Sequence, residues 1–177
     1  MTDQRLILVV CTGNLCRSPM AEAFLGDLLR KQGKDAMYMV RSAGTWTHDG
    51  LSVSALAVQA MAEKGLDIAG HRSHLVSPQD VEKAALIITM GDEHKEALLA
   101  EFPGARDRTF LLSELAGEKH DISDPYGSDS LILYRDCANE IGRLLGIGYS
   151  RLVQLLEGPG TGNAKLTPSA DATDAST

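Results

Sequence analysis

The chain has 177 residues, a formal net charge of -7 and a hydrophobic content of 44%. This is enough for one domain with a proper core and too apolar for a disordered chain. The negative charge and the lack of a Lys/Arg-rich block disfavour non-specific nucleic-acid binding, so an anionic substrate has to be attracted by a few positioned groups. No apolar run approaches a membrane span and none follows a basic N-terminal region, which sets the expectation of a cytoplasmic protein with no membrane partner. Three cysteines (Cys11, Cys16, Cys137) are too few for a disulfide scaffold, so their use is chemistry or core filling.

In chain order, Arg5 to Val10 (RLILVV) reads as a buried parallel strand. From Ser18 a helix is predicted, with Ser18 as N-cap, Pro19 at its first position and Gly33 at the stop. Met37 to Arg41 is a second strand, followed by the turn-like SAGTWTHDG, and Ser52 to Lys64 is helical up to Gly65. Ala85 to Met90 is a third strand, Asp92 to Phe102 a helix ended by Pro103, and Arg108 to Leu112 a fourth strand. After a polar loop, Ser130 to Leu156 makes a final helix or helix pair. The alternation predicts an α/β domain with an open, doubly wound sheet of about four parallel strands and helices on both faces. Residues 1–157 form that domain, and 158–177, rich in small and polar residues, are expected to be a disordered tail.

Such sheets bind ligands at the carboxyl ends of strands, where helices begin. The loop Cys11-Thr12-Gly13-Asn14-Leu15-Cys16-Arg17-Ser18 occupies that place after the first strand. A loop this short can turn successive backbone N–H groups inward as an anion nest, backed by the positive helix end. Gly13 permits unusual backbone geometry and Asn14 tolerates the left-handed region. Arg17 adds a planar fork for two phosphate oxygens. Cys11 at the strand end is placed as nucleophile, in positive surroundings that favour a thiolate. A Walker A loop is excluded because no Lys-Ser/Thr pair follows the glycine, and a zinc site lacks nearby further ligands. A purely structural turn with buried cysteines is the remaining plain reading.

A phosphate ester also needs a proton for its leaving oxygen. Asp124 is the candidate acid, because Pro125 stiffens the loop that carries it; Asp121 and Asp129 are nearby competitors.

Taken together, Val10 to Pro19 (VCTGNLCRSP), Ser42-Ala43-Gly44-Thr45, His71 in GHRS and Asp124-Pro125-Tyr126 resemble the low-molecular-weight protein tyrosine phosphatase family, over roughly Arg5 to Leu156. The resemblance implies a metal-free and cofactor-free reaction in which Cys11 forms a phosphocysteine while Asp124 protonates the leaving group and later activates water. It implies that Asn14, Ser18, Ser42 and His71 hold the loop, and that Cys16 can form a reversible disulfide with Cys11 under oxidation. Trp46 and Tyr126 are expected as pocket walls around a flat aromatic group, and Cys137 as a small buried hydrophobe. His48, His74, His94 and His120 receive no role and are expected at the solvated surface.

The chain also resembles the family's protein arginine phosphatase branch in CTGN and DPYG. That branch carries Thr where this sequence has Leu15; an apolar side chain there suits an aryl ring, favouring phosphotyrosine. Arsenate reductase chemistry lacks its extra cysteine pair, and a phosphocysteine carrier has no use for Asp124-Pro125. The implied partners are a phosphorylated protein, a tyrosine kinase among the candidates, and inorganic phosphate or other oxyanions in the loop, with a monomer as the expected state.

Overall fold

A computed structural model describes residues 4–158. Strands β1 (Arg5–Cys11), β2 (Tyr38–Gly44), β3 (Ala84–Thr89) and β4 (Thr109–Leu111) form one parallel sheet in the order β2-β1-β3-β4. The helices are α1 (Arg17–Lys31), α2 (Ala55–Ala62), α3 (Pro78–Lys83), α4 (Asp92–Glu101), α5 (Leu112–Leu115) and α6 (Leu131–Glu157), with a 3-10 turn at Pro103–Arg108. The expected α/β architecture and all four strands are present. The tail expected over 158–177 lies outside the described residues apart from Gly158.

β1 is apolar on both faces because it is covered on both. Ile7 and Val9 join Leu86 and Ile88 of β3 in a core with α1, α2, α5 and α6. Leu6, Leu8 and Val10 face the other way, into a smaller core with Ile87, Val81 of α3 and Leu98 and Leu99 of α4. The order of strand addition reverses between β1 and β3: the chain leaves β1 toward β2 on one side and returns to β3 on the other, all strands staying parallel. The loops after β1 and β3 therefore diverge and open a crevice at their carboxyl ends.

Three local expectations change. The first helix begins at Arg17 with Cys16 at its N-cap position, so Ser18 lies inside the first turn and caps nothing. β2 runs on through Ser42, Ala43 and Gly44, because the main chain there continues its ladder with β1, pairing Cys11 with Gly44. The C-terminal segment is a single helix of 27 residues. α3 was also legible in principle: Ser77-Pro78-Gln79-Asp80 is a capping box with proline in the first turn, and Ser77 and Asp80 make both reciprocal bonds.

Candidate active site

Cys11 ends β1, so the sheet fixes its backbone. Beyond it the loop is zipped to the continuation of β2: Thr45 N–H donates to Cys11 O at 2.9 Å and Trp46 N–H to Thr12 O at 3.0 Å. Asn14 has φ 56°, the one positive value at a non-glycine among the described residues. That turn sends its own N–H back toward Cys11 Sγ at 3.3 Å.

Asn14 is fully buried and every polar atom of it is used. Its Nδ2 donates to Ser18 Oγ and to Ser42 Oγ, both at 2.9 Å, and its Oδ1 accepts the His74 N–H at 2.9 Å. Its carbonyl accepts from His71 Nε2 at 3.0 Å, which assigns the proton to that nitrogen because a carbonyl only accepts. Ser18 Oγ, occupied as acceptor by Asn14, is left to donate to Cys11 Sγ at 3.0 Å. Ser42 Oγ passes the chain on to Glu22. Two donors thus converge on one sulfur, an arrangement suited to an anionic thiolate. All four residues expected to hold the loop are in this network, and His74 joins them through its backbone. At α1 no side chain of the N-cap residue caps the first turn, which leaves its free N–H groups available at the loop.

Arg17 is buried, and its Nη1 donates to Ile122 O at 3.1 Å. Its Nη2 donates to Asp124 Oδ2 at 2.7 Å and, more weakly, to Thr12 Oγ1 at 3.4 Å. Asp124 Oδ1 accepts the Tyr126 N–H at 3.1 Å, and Pro125 is buried, so the carboxylate is held from both sides. Of its competitors, Asp121 turns away to accept the Asp92 N–H at the start of α4, and Asp129 is exposed.

These groups line a pocket of about 330 Å³, where the buried Cys11 and Arg17 meet Leu15, Trp46, Leu51, Asp124 and Tyr126. Trp46 and Tyr126 are 82% and 63% exposed, as rim residues waiting for a contact would be. Thr47, His48 and Leu51 also line it and were not anticipated; their signal was only their position in the loop after β2.

Cys11, Cys16 and Cys137 are all free and buried. Burial, with lesser contributions from Asp124 and Cys11, pushes the Cys16 thiol up to about 12; burial does the same for Cys137. The expectation for histidine needs correction at one position. His94 is 1% exposed and reaches Thr12 from α4, because the helix starts just after β3 and its third residue faces the neighbouring β1 loop while Asp92 and Glu93 face solvent. Nothing in DEHKEALL distinguishes it from a surface residue without knowing which face of α4 meets the sheet. Among the described residues no group of three or more His, Cys, Asp or Glu side chains is placed to hold a metal ion, and no helix is long and apolar enough to cross a membrane.

A thiol at a strand end that receives a loop N–H and a hydroxyl, in a pocket shared with a buried arginine and a carboxylate, has the makings of a cysteine-dependent phosphatase site. Residues 6–152 match the family described as low molecular weight phosphotyrosine protein phosphatase, and the chain belongs to that family. It is therefore a phosphatase, a hydrolase. It is 37% identical over 140 residues to the protein-arginine-phosphatase of Geobacillus stearothermophilus, spanning 78% of this chain and 90% of that protein. It is 39% identical over 122 residues to the probable low molecular weight protein-tyrosine-phosphatase EpsP of Ralstonia solanacearum, spanning 69% and 79%. The crystal structure of a low molecular weight protein tyrosine phosphatase from T. tengcongensis superposes with TM-score 0.78 at 34% identity, covering 82% of this chain and 98% of that one.

Proposed function

We propose that this phosphatase acts on phosphotyrosine in proteins, with Cys11 as nucleophile, Arg17 and the N–H groups of residues 12–18 as the oxyanion cradle, and Asp124 as general acid and base. The Cys11 thiolate forms a bond to phosphorus as the bond to the tyrosyl oxygen breaks, and Asp124 gives its proton to that oxygen. Asp124 then takes a proton from water, which attacks phosphorus, releasing phosphate and the thiolate; Ser18 Oγ, 3.0 Å from the sulfur, stabilises the departing thiolate. Asn14, Ser42 and His71 hold the loop in shape. The observation that carries this reading is the convergence of the Asn14 N–H and the Ser18 hydroxyl on Cys11 Sγ in the pocket that Arg17 and Asp124 share.

The substrate choice rests on Leu15, which lines the pocket with Trp46 and Tyr126 as apolar surface for an aryl ring. The relatives named for arginine phosphatase activity support phosphoarginine as a second reading. The test is kcat/KM on phosphotyrosine and phosphoarginine peptides for the wild type and Leu15→Thr. The expected result is a phosphotyrosine preference that Leu15→Thr erodes; a strong phosphoarginine preference in the wild type overturns it. The proposal extends to a monomer acting in the cytoplasm on phosphoproteins, a tyrosine kinase among them, and family membership supports the phosphoprotein part of it.

A further inference from the structure

His94 is the buried polar side chain at the pocket that the reaction above does not use. Its Nε2 lies 2.8 Å from Thr12 Oγ1, the oxygen that also receives Arg17 Nη2. Its Nδ1 is buried without a hydrogen-bond partner among the described residues. An apolar side chain would fill the same space without leaving a desolvated nitrogen bare, so packing alone does not account for a histidine here.

Two considerations point to the Nε2–H tautomer. Glu93 Oε1 is 3.3 Å from Nε2, and a carboxylate oxygen repels a lone pair there but accepts from an N–H. With the proton on Nε2, the bare Nδ1 is an unused acceptor, which buried sites tolerate better than an unpaired donor. Burial first, then the Arg17 cation, push the imidazole below its ordinary value against the opposing pull of Glu93, Asp121 and Asp124, so the ring is neutral near pH 7.

The Thr12 oxygen therefore receives a close donor, His94 Nε2–H at 2.8 Å, and a weaker one, Arg17 Nη2–H at 3.4 Å, which face its two lone pairs. Its own proton has one direction left, and Thr12 lines the pocket. Resting on the phosphatase reading above, we propose that His94 is a positioning residue: it donates from Nε2 to Thr12 Oγ1, commits the Thr12 hydroxyl as a donor to the bound phosphoryl group, and steadies the Thr12 oxygen beside the Arg17 guanidinium. It touches no reacting atom and acts through Thr12.

The test has two arms. Ring ¹⁵N NMR of the wild type at pH 7 should show His94 as the neutral Nε2–H tautomer, and Thr12→Val should shift that resonance. A neutral Nδ1–H ring or an imidazolium overturns the proposal. In the kinetic arm, His94→Leu should lower kcat/KM for p-nitrophenyl phosphate by about 10- to 100-fold, the range of one hydrogen bond to a charged group. Thr12→Val should cost a similar factor, and the double variant no more than the worse single one. His94→Gln, which keeps an N–H donor, should recover part of the loss. Multiplicative losses in the double variant, or no recovery with Gln, overturn it. Wild-type turnover reports on the phosphatase reading by itself. If that fails, the ring-nitrogen result still decides the tautomer and the contact with Thr12, and does not need His94→Leu to fold.

Discussion

Arg17 Nη2 and Asp124 Oδ2 meet at 2.7 Å in the pocket, so the cation proposed to bind phosphate and the carboxylate proposed to donate a proton hold each other. An incoming phosphoryl group has to take the guanidinium from Asp124, and this exchange frees the carboxyl to reach the leaving oxygen. Asp124→Ala should therefore slow turnover of substrates with poor leaving groups by roughly 10²–10⁴-fold, and good ones much less. The same variant should bind vanadate or phosphate a few-fold more tightly. The gain stays small because the Asp124 side chain is 42% exposed and solvent screens such pairs to about 1 kcal/mol or less. Equal losses on both substrate classes, or weaker oxyanion binding, would argue against this pairing of roles.

Gly44 is fixed by a close approach. A Cβ built there would stand 2.5 Å from the Thr12 carbonyl oxygen, and backbone cannot swing aside as a side chain can. Gly44→Ala should push the cradle off Cys11, lowering kcat/KM more than 10-fold and stability by about 1–3 kcal/mol, the usual cost of overpacking. Gly26→Ala is the control. That position is in α1 with nothing within 4 Å of a Cβ, and the change should stabilise by about 0.5–1 kcal/mol. Thermal denaturation with phosphatase assays on both variants checks the contrast.

Cys16 and Cys137 should make the fold sensitive to alkali. Both thiols are raised from 9.0 to about 12 in the native state, chiefly by burial. Native protein therefore retains protons that the unfolded chain releases above pH 9, so their stabilisation is complete below that pH and is lost as pH rises toward 12. The slope is up to about 1.4 kcal/mol per pH unit for each thiol. Chemical denaturation between pH 8 and 11 should show the decline, and Cys137→Val should reduce its slope by about half, since each thiol contributes alike; an unchanged slope would show that Cys137 is not a source of it.

Legibility in the sequence followed the distance over which each signal acts. The strand RLILVV, the loop CTGNLCRSP and the Asp124-Pro125 pair carry their meaning locally, and the structure brings Cys11, Arg17 and Asp124 into one pocket. Ser18 was misplaced as a cap because a serine before proline has the same local pattern whether its hydroxyl serves a helix end or a sulfur 3.0 Å away. The extension of β2 through Gly44 depends on its partner strand, and no local propensity reveals it. His94 and the amide of His74 were invisible for a related reason. Their partners, Thr12 and Asn14, lie 82 and 60 residues away, and only the packing of α4 and of the segment before α3 brings them close.

That reach bears on when the protein becomes an enzyme as its chain folds. Asn14 is bonded to residues 28, 57 and 60 positions further along, and Arg17 to Asp124 at a separation of 107. Long closures of this kind carry the largest entropy cost and form late. A nascent chain that has emerged only as far as β2 holds the complete CTGNLCRSP segment but nothing to hold Asn14 from residues 71–74, and no acid. On the proposed mechanism, reactivity at Cys11 has to wait until distant parts of the chain have closed around it, so contacts that complete the fold are also ones that catalysis requires.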